Sequence, residues 1–274
     1  MAACHIPQKM RMHSVKQEYS PYPSKEAFSR DAAALTYGIP CCEDTACLAS
    51  ALTIRGKAVK NRLLAQPIEG GDAEDTGAPS VHTFARYTAL AQGGSGMIWM
   101  ESISVNEEGK STPRQLWLHE ETAEQFAGLL RAVHAQGAPF VVAQLTHSGR
   151  NSNPDGRHLG ICAYENPILK KDAFRIITDE QAEQLVQDYI RAAVLAERAG
   201  FDAVDIRACH GYLLNEFLSA YDRPGPYGGS FENRIRLLCS IVDGVRKNTD
   251  LTIAVRLNIT DGLPYPYGWG CAPD

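Results

Sequence analysis

Short apolar segments alternate with longer amphipathic segments from residue 63 to residue 257, and this alternation limits the fold more than any other feature of the chain. The apolar segments predict strands at residues 63–66, 96–100, 140–145, 203–206 and 252–257. The amphipathic segments between them predict helices at residues 80–91, 122–136, 178–199 and 232–247. Strands that are apolar on both faces and alternate with helices are typical of a parallel sheet covered by helices.

The segment of residues 178–199 carries the clearest helical signal. Thr178 and Gln181 have the spacing of a capping box, in which each side chain bonds the other residue's backbone N–H at the start of a helix. Leu185, Tyr189 and Leu195 then recur on one face of the helix. Outside the alternation, residues 151–177 predict a loop or a small hairpin insertion. Residues 1–47 predict an irregular tail because they contain several prolines, at positions 7, 21, 23 and 40.

The order of the elements favours a barrel over a doubly wound sheet. No strand is followed by Gly-x-Gly-x-x-Gly, which disfavours a dinucleotide-binding fold. A TIM-type (β/α)8 barrel fits the alternation better, although only five strands can be counted before Asp274. We therefore expect an α/β protein in which residues 48–274 form the N-terminal portion of a barrel that is truncated after about the fifth strand. Open sheet edges would then pair within a homo-oligomer or with a partner that supplies the missing strands.

The composition is that of an ordinary globular protein, and its charge excludes some partners. With a net charge of -5, the chain gives no reason to expect binding to nucleic acid or to an anionic membrane. No apolar run approaches the roughly 18 residues of a membrane span. The 8 cysteines include no C-x-x-C pair, which indicates reduced thiols and a cytoplasmic location. Cys41, Cys42 and Cys47 fit no metal-ligand spacing well, so no metal site is predicted.

Three side chains that could take part in catalysis follow the strand at residues 203–206. Arg207, His210 and Tyr212 bring a cation, an imidazole and a phenol within six positions. In an α/β barrel, catalytic groups lie at the carboxyl ends of the strands. These three side chains could bind an anionic or carbonyl oxygen and deliver a proton to a neighbouring carbon.

Four segments resemble the Old Yellow Enzyme family of FMN-dependent oxidoreductases, in the family's order and spacing. They are residues 60–67 (KNRLLAQP), 144–150 (QLTHSGR), 209–219 (CHGYLLNEFLS, followed by YGGSFENR at 227–234) and 254–257 (AVRL). The resemblance implies a flavin-binding barrel with FMN as cofactor and NAD(P)H as electron donor. It identifies only the N-terminal part of such a barrel.

The resemblance also implies which residues would bind the flavin. Gln144 would bond the pyrimidine edge of the ring, and Arg256 would lie near its anionic side. The backbone after the first strand would run along the flavin at Gln66, Pro67, Ile68 and Glu69, and that of Ser102 would approach the ring. On the residues alone, a structural ion pair for Arg256 and a core amide for Gln144 stay open. The family commonly has Cys or Thr at the position of Glu69, which would lie either beside the flavin or paired with Arg207.

By the same resemblance, Arg207 and His210 would hold the activating oxygen of the substrate, and Tyr212 would donate the proton. The family usually has His at the position of Arg207, and the guanidinium would suit a carboxylate or another anionic substrate. The implied function is reduction of the C=C bond of an α,β-unsaturated carbonyl or carboxyl compound by NAD(P)H. Two alternatives stay open: a flavin-dependent dehydrogenase or demethylase like the family's longer iron–sulfur relatives, and a non-catalytic fragment or subunit. His147 and Arg150 are expected to be structural.

Overall fold

The computed structural model describes residues 22–34, 44–137, 139–157, 159–169 and 174–271. The chain divides into two compact units, residues 1–45 and 46–274. In the first unit, helix α1 (Lys25–Ala34) begins after Ser24, whose hydroxyl accepts a hydrogen bond from the backbone N–H of Ala27 at 3.2 Å. The prediction of an irregular tail missed this helix because the prolines at 21 and 23 precede it and do not interrupt it. The tail's Cys41 and Cys42 lie outside the described residues.

The second unit begins with a short 3-10 helix, Ala46–Ala49, and an antiparallel hairpin. Its strands are β1 (Leu52–Ile54), β2 (Lys57–Val59), β3 (Leu64–Ala65), β4 (Met97–Ser104), β5 (Phe140–Thr146), β6 (Gly160–Cys162), β7 (Phe174–Ile176), β8 (Ala203–Ala208) and β9 (Thr252–Leu257). Its helices are α2 (Val81–Gln92), α3 (Ala123–His134), α4 (Asp179–Ala199), α5 (Leu213–Leu218) and α6 (Phe231–Asn248).

A parallel sheet with the strand order β3-β4-β5-β8-β9 forms the centre of the second unit, and its 5 strands are the five predicted from the apolar segments. The helices α2, α3, α4 and α6 follow the predicted positions, and the capping box of Thr178 and Gln181 is present at the start of α4. Within the described residues, β3 and β9 form the edges of this sheet. The prediction of an α/β fold with a parallel sheet is confirmed.

Residues 151–177 contain β6 and β7, which pair in parallel from Gly160 opposite Phe174 to Cys162 opposite Ile176. Of the two alternatives for this segment, a loop or a small hairpin, the hairpin is therefore wrong. A hairpin joins antiparallel strands by a tight turn, whereas the segment between these two strands is long enough to return the chain for parallel pairing.

Alternate residues of the sheet face two separate apolar clusters. On one face, Ile98, Val141 and Val204 pack in the main core with the helices. On the other face, a smaller cluster contains Val142 and Ala203 together with Val59 of the hairpin. The hairpin thus covers the amino-terminal end of this second face, which we call the inner face. Polar side chains are left at the opposite end, where the parallel strands finish together.

Within the described part of the chain, no helix is both long enough and apolar enough to cross a membrane.

Candidate active site

A chain of hydrogen bonds crosses the inner face near the carboxyl ends of the central strands. The Ser102 hydroxyl donates to Gln144 Oε1 at 3.1 Å, and Gln144 Nε2 donates to Asp205 Oδ2 at 2.7 Å. Trp99 Nε1 donates to the same carboxylate oxygen at 2.9 Å. The register aligns Ser102 with Gln144 and Gln144 with Asp205, so neighbouring strands present these side chains side by side. The Gln144 amide is fixed in orientation because both of its ends are bonded.

A bulge in β4 brings Ser102 into this row. Between Trp99 and Ser102 the register shifts against β5, so three steps along β4 match two steps along its neighbour. The extra residue changes which side chains face inward, because side chains alternate between the faces of a regular strand. Glu101 consequently bonds Arg86 at 2.7 Å and the Tyr87 hydroxyl at 3.1 Å, both on α2.

Asp205 is a site residue that was not predicted. Its side chain is fully buried, and burial raises the pKa of its carboxyl, although the hydrogen bonds from Gln144 and Trp99 lower it in part. The Oδ1 atom has no hydrogen-bond partner among the described residues. The signal was present in the sequence, since a carboxylate in the middle of the apolar strand β8 needs a polar partner or a ligand.

Arg207 lies at the centre of the site. Its Nη1 donates to Glu69 Oε1 at 3.2 Å and to the Ser102 hydroxyl, and its Nη2 lies 3.3 Å from His210 Nδ1. Its guanidinium carbon lies 4.0 Å from the centroid of the Tyr212 ring, which is the geometry of a cation–π contact. The Nε atom is buried and has no partner among the described residues. The structure therefore brings Arg207, His210 and Tyr212 together.

Glu69 takes the second of the two roles left open by the sequence, because it is paired with Arg207. Its side chain is 44% exposed, whereas that of Arg207 is 10% exposed. Burial raises the pKa of the Glu69 carboxyl, and the neighbouring charge of Glu101 raises it further. The positive charge of Arg207 and its hydrogen bond act in the opposite direction.

The surroundings of His210 and Tyr212 shift the pKa values of their side chains in opposite directions. Partial burial lowers the pKa of His210, and so do the positive charges of Arg207 and Arg256. Burial raises the pKa of the Tyr212 phenol, and Arg207 offsets part of this effect. The backbone of His210 adopts a left-handed conformation with φ of 63°, which re-aims the chain between β8 and α5. At neutral pH the site therefore holds a neutral imidazole and a protonated phenol.

Arg256 faces a second part of the site. It lines a cavity of about 230 Å³ together with Gln66, Pro67 and Trp99. The register pairs Arg256 with Arg207 on the neighbouring strand. The side chain of Ile68, by contrast, is 75% exposed. The structure therefore does not bring Ile68 into the site through its side chain.

These residues fit a flat anionic cofactor such as FMN. Arg207 and Arg256 are adjacent cations, and an anionic group between or beside them would relieve their repulsion. The cavity lined by Gln66, Pro67 and Arg256 places a cation beside the segment that follows β3. The unpartnered Asp205 Oδ1 is a further polar atom that a ligand or water could satisfy.

His147 and Arg150 have structural contacts, as expected. The His147 Nδ1 accepts a hydrogen bond from the Gly149 backbone at 3.1 Å. Arg150 Nε pairs with Glu216 Oε1 at 2.6 Å, and both side chains are almost fully buried. Arg150 also donates to the backbone carbonyls of Leu169 and Tyr164. These contacts tie the segment after β5 to α5 and so support the loop that carries His210.

The chain is similar in sequence and in fold to known flavin oxidoreductases. The family model of the NADH:flavin oxidoreductase / NADH oxidase family matches residues 48–264. An NADPH dehydrogenase of Bacillus pumilus strain SAFR-032 is 35% identical over 218 residues, which are 78% of this chain and 64% of that protein. The structure of the Old Yellow Enzyme homologue from Zymomonas mobilis has a TM-score of 0.68 and 30% identity, covering 77% of this chain and 62% of that one.

A third similar protein is Old Yellow Enzyme from Pichia sp. AKU4542, with a TM-score of 0.70 and 26% identity over 77% of this chain and 59% of that one. The chain thus spans less than two thirds of the length of these relatives. Members of the matching family use FMN, with NADH or NADPH as the electron donor. The chain belongs to the NADH:flavin oxidoreductase / NADH oxidase family and is a member of the Old Yellow Enzyme family.

Proposed function

We propose that the chain carries the substrate-activating face of an FMN-dependent oxidoreductase that reduces the C=C bond of an α,β-unsaturated carbonyl or carboxyl compound with NAD(P)H. The observation that carries the proposal is the contact of Arg207 with both His210 and Tyr212 at the carboxyl end of β8. Two oxygen-binding groups and a protonated phenol are thereby presented to one small volume. The family membership supports the redox class of the reaction.

Five residues on the inner face and its rim would hold FMN. Gln144 would offer its amide and Ser102 its backbone, and Arg256 would offer a positive charge beside Gln66 and Pro67, which line the same cavity. The predicted contribution of Glu69 and Ile68 would come from their backbone, since the Glu69 side chain bonds Arg207. Bound FMN would supply the hydride that NAD(P)H provides and that the β-carbon of the substrate receives.

Arg207 and His210 would bind and polarise the oxygen of the substrate. The Arg207 guanidinium only donates, so the His210 Nδ1 that faces it must accept. The imidazole is then neutral with its proton on Nε2, in agreement with its lowered pKa. The Nε2–H of His210 is therefore free to donate to a carbonyl oxygen, as is Arg207. Two such donors stabilise the negative charge that develops on this oxygen when hydride reaches the β-carbon.

Tyr212 would donate the proton to the α-carbon. Its phenol stays protonated at neutral pH because burial raises its pKa. The Arg207 guanidinium at 4.0 Å from the ring centroid would stabilise the negative charge that the phenol acquires as the proton leaves. The same arginine thus serves the substrate oxygen and the proton donor.

The test measures the two half-reactions of the FMN-loaded protein separately. In Tyr212→Phe, reduction of trans-cinnamaldehyde should slow by about 10²-fold or more, the scale of losing a general acid. Reduction of the flavin by NAD(P)H should be nearly unchanged. Stopped-flow absorbance that shows equal slowing of both half-reactions would refute the role of Tyr212. A protein that is colourless and does not quench the fluorescence of added FMN would refute the flavoenzyme proposal as a whole.

A further inference from the structure

The pairing of Glu69 with Arg207 bears on which substrates the site accepts. We propose that Glu69 determines this specificity: its carboxylate occupies the anion-binding side of Arg207, so the site prefers neutral carbonyl substrates over carboxylates. The inference rests on the proposed function and narrows it. This substrate preference is the opposite of the one that Arg207 suggests when the sequence is considered alone, since an unpaired guanidinium would favour an anionic substrate.

The first argument is the balance of charge around Arg207. Two cations, Arg207 and Arg256, and two carboxylates, Glu69 and Asp205, lie on this part of the inner face. Arg86 is shared between two further carboxylates, Asp72 and Glu101, each at 2.7 Å. Within this group, Glu69 is the carboxylate that bonds Arg207. A substrate carboxylate beside Arg207 would therefore place a second negative charge next to that of Glu69.

The second argument is the use of the hydrogen-bond donors of Arg207. Nη1 is bonded to Glu69 and Ser102, Nη2 faces His210, and the Tyr212 ring covers one face of the guanidinium. An arginine binds a carboxylate best through two parallel N–H groups. The N–H of Nε is buried, so the two N–H groups that a substrate carboxylate could use together are those of Nη1 and Nη2, and Glu69 must then leave Nη1. A carbonyl oxygen needs one donor from Arg207 and one from His210, and it can bind while Glu69 stays in place.

The third argument is the location of Glu69 on the rim of the site. The side chain is 44% exposed and follows Ile68, which is 75% exposed. The adjoining Gly70 is held by a hydrogen bond from its backbone N–H to Glu101 Oε2 at 2.7 Å. Because this bond does not involve the Glu69 side chain, the loop can keep its position when the carboxylate is removed. Substitution at this position therefore changes the charge at Arg207 without removing buried packing.

The experiment compares two ligands with one carbon skeleton, trans-cinnamaldehyde and trans-cinnamate. The FMN-loaded wild type, Glu69→Gln and the control Glu74→Gln are compared, with flavin content checked by absorbance. Gln keeps the size and the hydrogen-bonding oxygen of Glu69 and removes only its charge. Glu74 lies nearby in the same connection between β3 and α2, and it is exposed. The dissociation constants of both ligands are measured by calorimetry, and kcat/KM is measured for both.

In Glu69→Gln, the affinity for cinnamate relative to cinnamaldehyde should rise by about tenfold or more, the scale of one charge-assisted hydrogen bond. The ratio of the two kcat/KM values should rise with it, mainly through the KM of cinnamate. Glu74→Gln should leave both ratios at the wild-type value. The inference is overturned if Glu69→Gln leaves the affinity ratio unchanged, or if it weakens both ligands equally, which is the result expected when Glu69 only orients Arg207.

The proposed function and this inference fail in different ways. If the wild type binds both ligands and reduces neither, the proposed reaction is wrong. The ratio of dissociation constants still decides the role of Glu69 in that case, because it does not depend on turnover.

Discussion

The burial of His147 as a neutral imidazole should make the fold sensitive to mild acid. Its side chain is 1% exposed, and Nδ1 accepts a hydrogen bond from the Gly149 backbone, so the ring proton is on Nε2. That Nε2–H has no acceptor among the described residues. Burial lowers the pKa of His147 to about 3, and the positive charge of Arg175 contributes to the shift. Protonation would add a charge to a buried position where nothing compensates it.

The size of the effect follows from the two pKa values. An unfolded histidine has a pKa of about 6.5, so between that pH and about 3 the unfolded chain binds a proton that the folded chain does not. The stability provided by neutral His147 is therefore complete above about pH 6.5 and is lost as the pH falls. The loss is about 1.4 kcal/mol per pH unit. Acidification to about pH 4.5 should cost about 3 kcal/mol through this residue alone.

The assay isolates this loss with His147→Asn. Asn can keep an acceptor for Gly149 N–H, and it does not titrate in this range. The variant should be less stable than the wild type at about pH 7, and the difference should shrink by about 3 kcal/mol at about pH 4.5. Urea unfolding followed by circular dichroism measures both values, and the acid response of the carboxyl groups cancels in the difference. The exposed His82, replaced by Asn, serves as control. The reasoning is refuted if His147→Asn and the wild type lose stability in parallel between the two pH values.

Three further substitutions test a buried ion pair and the backbone of two helices. Glu216→Gln should destabilise the protein by about 3–5 kcal/mol in urea unfolding, because it breaks the buried ion pair with Arg150; a loss below about 1 kcal/mol would contradict this. Gly200 ends α4 with φ of 101°, so Gly200→Ala should cost about 1–2 kcal/mol. Gly128→Ala, in the interior of α3 where a Cβ meets no atom closer than 3.8 Å, should instead stabilise by about 0.5–1 kcal/mol, and equal effects of the two alanines in thermal unfolding would contradict the assignment.

The sequence was sufficient for the elements whose signals are local. The five strands of the central sheet and the helices α2, α3, α4 and α6 follow from apolar spacing, and the start of α4 follows from Thr178 and Gln181. Elements with short or ambiguous signals were missed, such as the hairpin of β1 and β2. Its two-residue turn places Arg55 at φ of 45° and Gly56 at φ of 84°, and a pair of residues other than Asn-Gly or Asp-Gly is a weak indicator of such a turn.

Parts of the candidate site depend on contacts that no local pattern contains. Four candidate site residues could be identified from the sequence, because polar groups at the ends of apolar strands are unusual. They are Gln144, Arg207, His210 and Tyr212. The residues that they contact could not be identified in the same way. The bond between Gln144 and Asp205 depends on the register of β5 against β8, which is set by packing over the whole sheet.

The contact between Glu69 and Arg207 joins two departures from the family pattern that looked unrelated in the sequence. The two residues are far apart in the chain, and each is unusual for its position. A guanidinium in place of a neutral imidazole would leave a largely buried charge beside Arg256, at considerable cost. A carboxylate at the rim, 3.2 Å from Arg207 Nη1, reduces that cost and stays accessible to solvent. Each substitution thus makes the other tolerable. Under the proposed function, the pair would keep the substrate-binding site nearly neutral while Arg207 still supplies a hydrogen-bond donor.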